Sequence, residues 1–245
     1  MDFTGPADLS HGVVERRFDL ERGGGLVPGL LWTPDGAEGP RPLVLVGHGG
    51  TSHKRSPYVL SLGRRLVRHA GYAVAAIDAP LHGDRAKEGD PSLLSSPKGF
   101  REAVRGATET MIADWTATYT AVQELDEVGH GPLGYWGLSM GTMLGLPFVA
   151  ATAEIRCAVL GLMGVLSEDD PWTASAPTMD RPVLFLAQTD DELVPIDGAV
   201  QLFRALGSSD KRLHAHPGAH SAVPIEEMEA SEAFFAQHLG APLGS

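Results

Sequence analysis

Residues 133–145 read Leu-Gly-Tyr-Trp-Gly-Leu-Ser-Met-Gly-Thr-Met-Leu-Gly, and they restrict the fold of this chain more tightly than any other stretch. A short apolar run ends at Trp136, Gly137-Leu138-Ser139-Met140-Gly141 fits Gly-x-Ser-x-Gly, and residues 142–153 are small and apolar. That order predicts a strand, a tight turn and a helix buried against a sheet, with Ser139 at the apex. A serine there is forced into a strained backbone conformation, and glycines on either side relieve the crowding because they lack a Cβ. Its hydroxyl then projects from the sheet at the positive end of a helix, where a developing anion is favoured. A glycine-rich turn with an incidental serine satisfies the same five residues, so the motif needs partners elsewhere in the chain.

The flanking sequence supplies an alternation of strands and helices. Residues 13–20 and 26–32 read as two strands joined by Gly23-Gly24-Gly25. No helix follows that triplet, so it reads as a hairpin turn rather than a phosphate loop. Residues 42–50 form a continuously apolar strand ending in glycines, the pattern of a central strand buried on both faces. In residues 57–69, Val59, Leu62 and Leu66 fall on one side of a helix and Ser61, Arg64, Arg65 and Arg68 on the other. A strand over 72–77 closes at Asp78, residues 86–100 are loop-like, and helical spacing resumes at Ile112, Trp115, Tyr119 and Val122. Strands follow at 156–163, 181–187 and 211–216. Asp197 reads as the N-cap of a helix that Gly207 stops, and Glu226, Glu227 and Glu229 suit the first turn of a last helix. The fold class is therefore α/β, with a doubly wound, mostly parallel sheet in a single domain over 1–245.

Composition narrows the partners. A net charge of −12 argues against nucleic acid, which is bound by clustered Lys and Arg. No apolar run approaches the roughly 18 residues that span a bilayer, and residues 1–14 are polar and acidic, without a signal-sequence pattern. Cys157, the single cysteine, lies in an apolar run and reads as a buried core thiol. These features point to a cytoplasmic protein with no membrane association.

A serine hydroxyl is a poor nucleophile until a base takes its proton, and that base is usually a histidine oriented by a carboxylate. In an open α/β sheet such groups sit on loops at the carboxyl ends of strands. Asp190 and Asp191 follow the strand over 181–187, and His220 lies in a loop just past the strand over 211–216. His214 and His216 alternate within that strand and read as structural or exposed.

Four matches in this order, His48-Gly49-Gly50, Gly137-Leu-Ser139-Met-Gly141, Asp191-x-x-Val194-Pro195 and Gly218-Ala-His220, resemble the α/β-hydrolase superfamily, in particular the small dienelactone-hydrolase-like esterases. The resemblance implies helices on both faces of the sheet and a minimal or absent cap domain. It implies Ser139 as nucleophile, Asp191 as acid with Asp190 as rival, and His220 as base. The backbone N–H groups of Gly50 and Met140 match the oxyanion hole, with Thr51 replacing Gly50 if the loop is shifted by one. The namesake enzymes carry a cysteine nucleophile, whereas Ser139 stands here, which favours ordinary carboxylic esters over dienelactone.

The expected activity is therefore a serine carboxylesterase acting on small to medium esters through an acyl-enzyme, without a cofactor, as a monomer or homodimer. Thioesterase, lactonase or peptidase chemistry on the same residues is the alternative, and a non-catalytic ligand-binding homologue is a more distant one. His48, His53, His82 and Asp84 cluster on loops near the site without the spacing of a helical zinc motif, so no metal is expected. Lys54 and Arg55 read as solvated, and Arg85 as a loop brace. Residues 164–180 are too short for a helical lid, residues 86–100 are expected to cover part of the pocket, and Pro171, Trp172 and Met179 to line it. The expected site is shallow or partly open.

Overall fold

Strands β4 (Leu43–Gly47), β5 (Ala73–Ile77), β6 (Leu133–Gly137) and β8 (Val183–Gln188) are buried along their whole length. Strands covered on both faces carry such unbroken apolar runs, because neither side meets water. The computed structural model describes residues 1–88 and 91–241. The remaining strands among these are β1 (Asp2–Ser10), β2 (Val13–Arg22), β3 (Gly25–Pro34), β7 (Ile155–Gly161) and β9 (Lys211–His216). They form one sheet in the order β1-β2-β3-β5-β4-β6-β7-β8-β9. β1 to β3 are an antiparallel ribbon joined through β3 to β5, and all pairings from β5 to β9 are parallel.

Helices cover both faces. Helices α1 (Pro57–Ala70) and α6 (Glu226–Leu239) pack Val59, Leu62, Leu66, Phe234 and Phe235 against one. On the other lie α2 (Pro97–Gln123), α3 (Met140–Ala151), α4 (Pro171–Ser175) and α5 (Ile196–Ala205), with Trp115, Phe148, Trp172 and Leu202 in the core. Cys157 is fully buried, and burial pushes its thiol pKa up. Among the described residues no helix is long and apolar enough to cross a membrane.

Several expectations need correction. β1 lies in the polar N-terminal stretch; eight of its nine residues are exposed, so it carries no apolar alternation to betray a strand. α2 starts at Pro97 rather than near Ile112, with Ser96 Oγ accepting from Gly99 N–H at 3.1 Å. Its buried series Val104, Thr108, Met111, Trp115 runs through a threonine, whose hydroxyl turns back to the Val104 carbonyl (3.2 Å), and that polar residue breaks the apolar pattern. α5 takes Pro195, not Asp197, as its N-cap residue and ends before Gly207. The connection over 164–180, too short for a helical lid, holds only the five-residue α4, whose Trp172 is buried in the core.

The parallel registers bring the ends of β4, β6, β8 and β9 to one edge. Gly47 pairs with Gly137, and Gln188 with His216. The loops that begin at His48, Leu138, Thr189 and Pro217 therefore leave the sheet on the same side, as crevices at strand carboxyl ends require.

Candidate active site

Ser139 sits between β6 and α3 with φ 57° and ψ −120°, a conformation that costs a side-chain-bearing residue of order 1–3 kcal/mol. Its surroundings enforce the turn. Ser139 N–H donates to the Gly161 carbonyl at 2.9 Å. Thr142 Oγ1 accepts from Gly161 N–H at 2.8 Å and lies 2.8 and 2.7 Å from the carbonyl oxygens of Gly137 and Gly161. A Cβ on Gly137 would come within 2.7 Å of the Gly141 carbonyl, and one on Gly141 within 2.6 Å of the Gly47 carbonyl. Both contacts are with backbone, so the two glycines of the motif are required by close approach.

The loops after β8 and β9 bring two more groups to this apex. His220 Nε2 lies 2.9 Å from Ser139 Oγ, and His220 Nδ1 lies 2.7 Å from Asp191 Oδ2. The other Asp191 oxygen accepts from the N–H groups of Leu193 and Val194, each at 2.8 Å, which fixes the carboxylate and leaves Oδ2 for the ring. Three successive acids hold the His220 loop. Asp190 Oδ2 accepts from Gly218 N–H at 2.9 Å, Asp191 meets the imidazole, and Glu192 Oε2 accepts from His220 N–H at 2.9 Å. That last hydrogen bond, from the His220 backbone, lowers the Glu192 pKa. Asp190 thus touches the loop backbone, and Asp191 touches the ring.

The amides of Gly50 and Met140 stand at the ends of the β4 and β6 turns, and among the described residues neither donates to a protein acceptor. Buried side chains shape the Gly50 loop from beneath. His48 Nδ1 donates to the Gly49 carbonyl at 2.8 Å, while its Nε2 accepts from Ala79 N–H at 3.0 Å. An imidazole with one donor and one acceptor nitrogen is neutral. Burial, reinforced by nearby His82, pushes its pKa down to about 4. Lys54 is not solvated. It is 2% exposed, with Nζ 2.6 Å from both Asp78 Oδ2 and Asp84 Oδ2, and its N–H donates to Asp78 Oδ1 at 2.9 Å. Lysine in a polar loop gives no signal of such burial; its partners lie 24 and 30 residues away. Arg55 does face solvent, and Arg85 braces its loop through Asp114 (2.7 Å) and the Asp78 carbonyl (3.2 Å).

His48 makes stability depend on pH. Its folded pKa lies below the unfolded value of 6.5, so between 6.5 and about 4 the unfolded chain binds the extra proton. The contribution of this group is then complete above pH 6.5 and is lost as the pH drops toward 4. Urea unfolding across that range should show a larger loss for the wild type than for His48→Asn. Equal losses would show that His48 does not carry the effect.

A cleft of about 1170 Å³ opens over Ser139 and His220. Its walls are mainly apolar, with Tyr58, Leu94, Phe100, Met143, Leu193 and Val223 among them. Residues 94–105, from the end of a short 3-10 turn into α2, form one side, as expected of the segment over 86–100; Gly89 and Asp90 in that segment lie outside the described residues. The site is a partly open cleft, one of the two forms expected, and α2 starts early enough to build one of its walls. Trp172 and Met179 do not line it; both are fully buried in the core, and Pro171 is likewise absent from the lining.

No family model matches the chain. Solved structures do. A cold-adapted esterase from an Arctic intertidal metagenomic library, in complex with polyethylene glycol, is 39% identical with a TM-score of 0.85, covering 98% of this chain and all of the other (100%). A zinc-bound structure of such an esterase matches at 36% identity and TM-score 0.80, covering 98% and 100%. Esterase YjfP of Escherichia coli is 27% identical over 235 residues, which is 82% of this chain and 90% of that protein. A putative dienelactone hydrolase from Klebsiella pneumoniae, at 22% identity and TM-score 0.72 over 92% and 99%, shares the fold. The chain has the α/β-hydrolase fold and belongs to the same family as the Arctic esterase. It is an enzyme that hydrolyses ester bonds.

Proposed function

We propose that the protein is a serine carboxylesterase working through an acyl-enzyme, with Ser139 as nucleophile, His220 as general base and acid, and Asp191 as the group that orients His220. The observation that carries this reading is the continuous hydrogen-bonded chain Ser139 Oγ, His220 Nε2, His220 Nδ1, Asp191 Oδ2, with links of 2.9 and 2.7 Å. His220 takes the Ser139 proton as Oγ attacks the ester carbonyl. The N–H groups of Gly50 and Met140 receive the oxyanion, a contribution of roughly 3–4 kcal/mol per donor. The alcohol leaves with the proton from His220, and water then attacks the acyl-enzyme as His220 again acts as base. Asp191 holds the ring in the tautomer with Nδ1 protonated and stabilises the imidazolium that forms.

Small to medium carboxylic esters suit the cleft, whose apolar walls remove an acyl chain from water at about 25 cal/mol per Å². The esterase descriptions of the Arctic protein and of YjfP support ester over other acyl derivatives. Neither a cofactor nor a metal enters the mechanism, and the chain acts as one domain, in the cytoplasm, as a monomer or homodimer. A series of p-nitrophenyl esters from acetate to laurate, set against thioesters and lactones of matched acyl groups, tests the assignment. The expected result is a maximum kcat/KM on a short or medium ester, on the order of tenfold or more above the matched thioester and lactone. A thioester or lactone turned over faster than the matched ester would replace the assignment.

A further inference from the structure

We propose that His214, His216 and Glu227 form a binding site for a divalent transition-metal ion of the zinc type, separate from the Ser139–His220 pair. His214 and His216 stand two residues apart on β9, so their side chains project from the same face of the edge strand of the sheet. Glu227, in the first turn of α6, is 3% exposed and aims its carboxylate between them. His214 Nδ1 lies 3.0 Å from both Glu227 oxygens, and His216 Nε2 lies 2.5 Å from Oε1. One ligand atom from each residue falls within 4.8 Å of the other two. Zinc bonds of about 2.0–2.2 Å to nitrogen and oxygen place neighbouring ligand atoms roughly 3–3.5 Å apart, so small side-chain shifts admit the ion.

The chemistry of the cluster points the same way. A buried carboxylate needs a compensating charge, yet among the described residues no lysine or arginine reaches Glu227. Arg212, the preceding residue on that face of β9, is drawn instead to Asp210 and to the ring of Phe234. Two imidazoles and one carboxylate are a donor set that suits zinc, and the partial exposure of both histidines leaves room for water as a further ligand. The Glu227 backbone is held by its own N–H on the Pro224 carbonyl (3.1 Å) and by Ser231 Oγ on its carbonyl (2.7 Å). An ion here would tie the end of β9 to α6 at the base of the loop that carries His220.

The full chain, stripped with chelator and titrated with zinc by calorimetry, tests the site. Wild type and His220→Ala should each bind one equivalent with the same Kd. His214→Gln/His216→Gln should weaken binding by at least about a hundredfold. Zinc a hundredfold above the wild-type Kd should raise the wild-type Tm by about 5 °C and that of the double variant by no more than about 1 °C. Glu227→Gln keeps the side-chain volume and should lose both the affinity and the Tm gain, which carries the test if the double variant does not fold. Absence of binding to wild type would overturn the site. So would binding lost in His220→Ala but retained in the His214/His216 or Glu227 variants, which would place the ion against Ser139.

Discussion

Ser139→Ala is expected to lower kcat/KM on p-nitrophenyl butyrate by at least about ten-thousandfold, with the Tm unchanged within a few degrees. The hydroxyl is the atom that forms the acyl bond, and among the described residues no other side chain hydrogen-bonds to His220 Nε2. Alanine retains the Cβ, so the positive-φ turn is neither relieved nor worsened, and the helix behind it keeps its packing. Residual activity from the oxyanion donors and the cleft remains measurable above the uncatalysed rate. A variant of native stability that retains wild-type turnover would move the nucleophile elsewhere.

Asp191→Asn and Asp190→Asn should separate sharply. Asp191 Oδ2 is the acceptor for His220 Nδ1–H, and an amide there removes the charge that stabilises the imidazolium and permits the wrong tautomer. The expected loss in kcat is about ten-thousandfold. Asp190 Oδ2 accepts from the Gly218 N–H and the Thr189 hydroxyl and does not touch the ring, so its asparagine, whose amide oxygen can still accept, should lose less than about tenfold. Equal losses would mean that the loop as a whole, rather than one carboxylate, orients the base.

Much of this arrangement is legible in the chain because each element carries a local signal. The apolar runs of β4, β5, β6 and β8 mark buried parallel strands, and Gly137 and Gly141 mark the close approach around Ser139. The order serine, aspartate, histidine at successive strand ends follows from the same elements. The choice of Asp191 over Asp190 does not, since one residue of turn geometry decides which carboxylate faces the ring. Nor does the buried Lys54–Asp78 pair, which Asp84 joins from the surface, because nothing local distinguishes an ion-paired lysine from a solvated one. One wall of the cleft is hidden in the sequence for a related reason. Residues 97–110 look polar because one side of α2 meets water and its buried series includes Thr108, so the wall they build has no apolar signature. His214 and His216 signal only a strand face; the third member of their cluster, Glu227, comes from a helix eleven residues further on.

Acyl-enzyme formation at Ser139 is tested most directly by a fluorophosphonate probe followed by peptide mass spectrometry. The probe should label the folded wild type with one adduct per chain, on the peptide containing Ser139, with loss of esterase activity in proportion to labelling. Active, folded protein that takes no label, or takes it on another residue while Ser139 stays free, would contradict the mechanism.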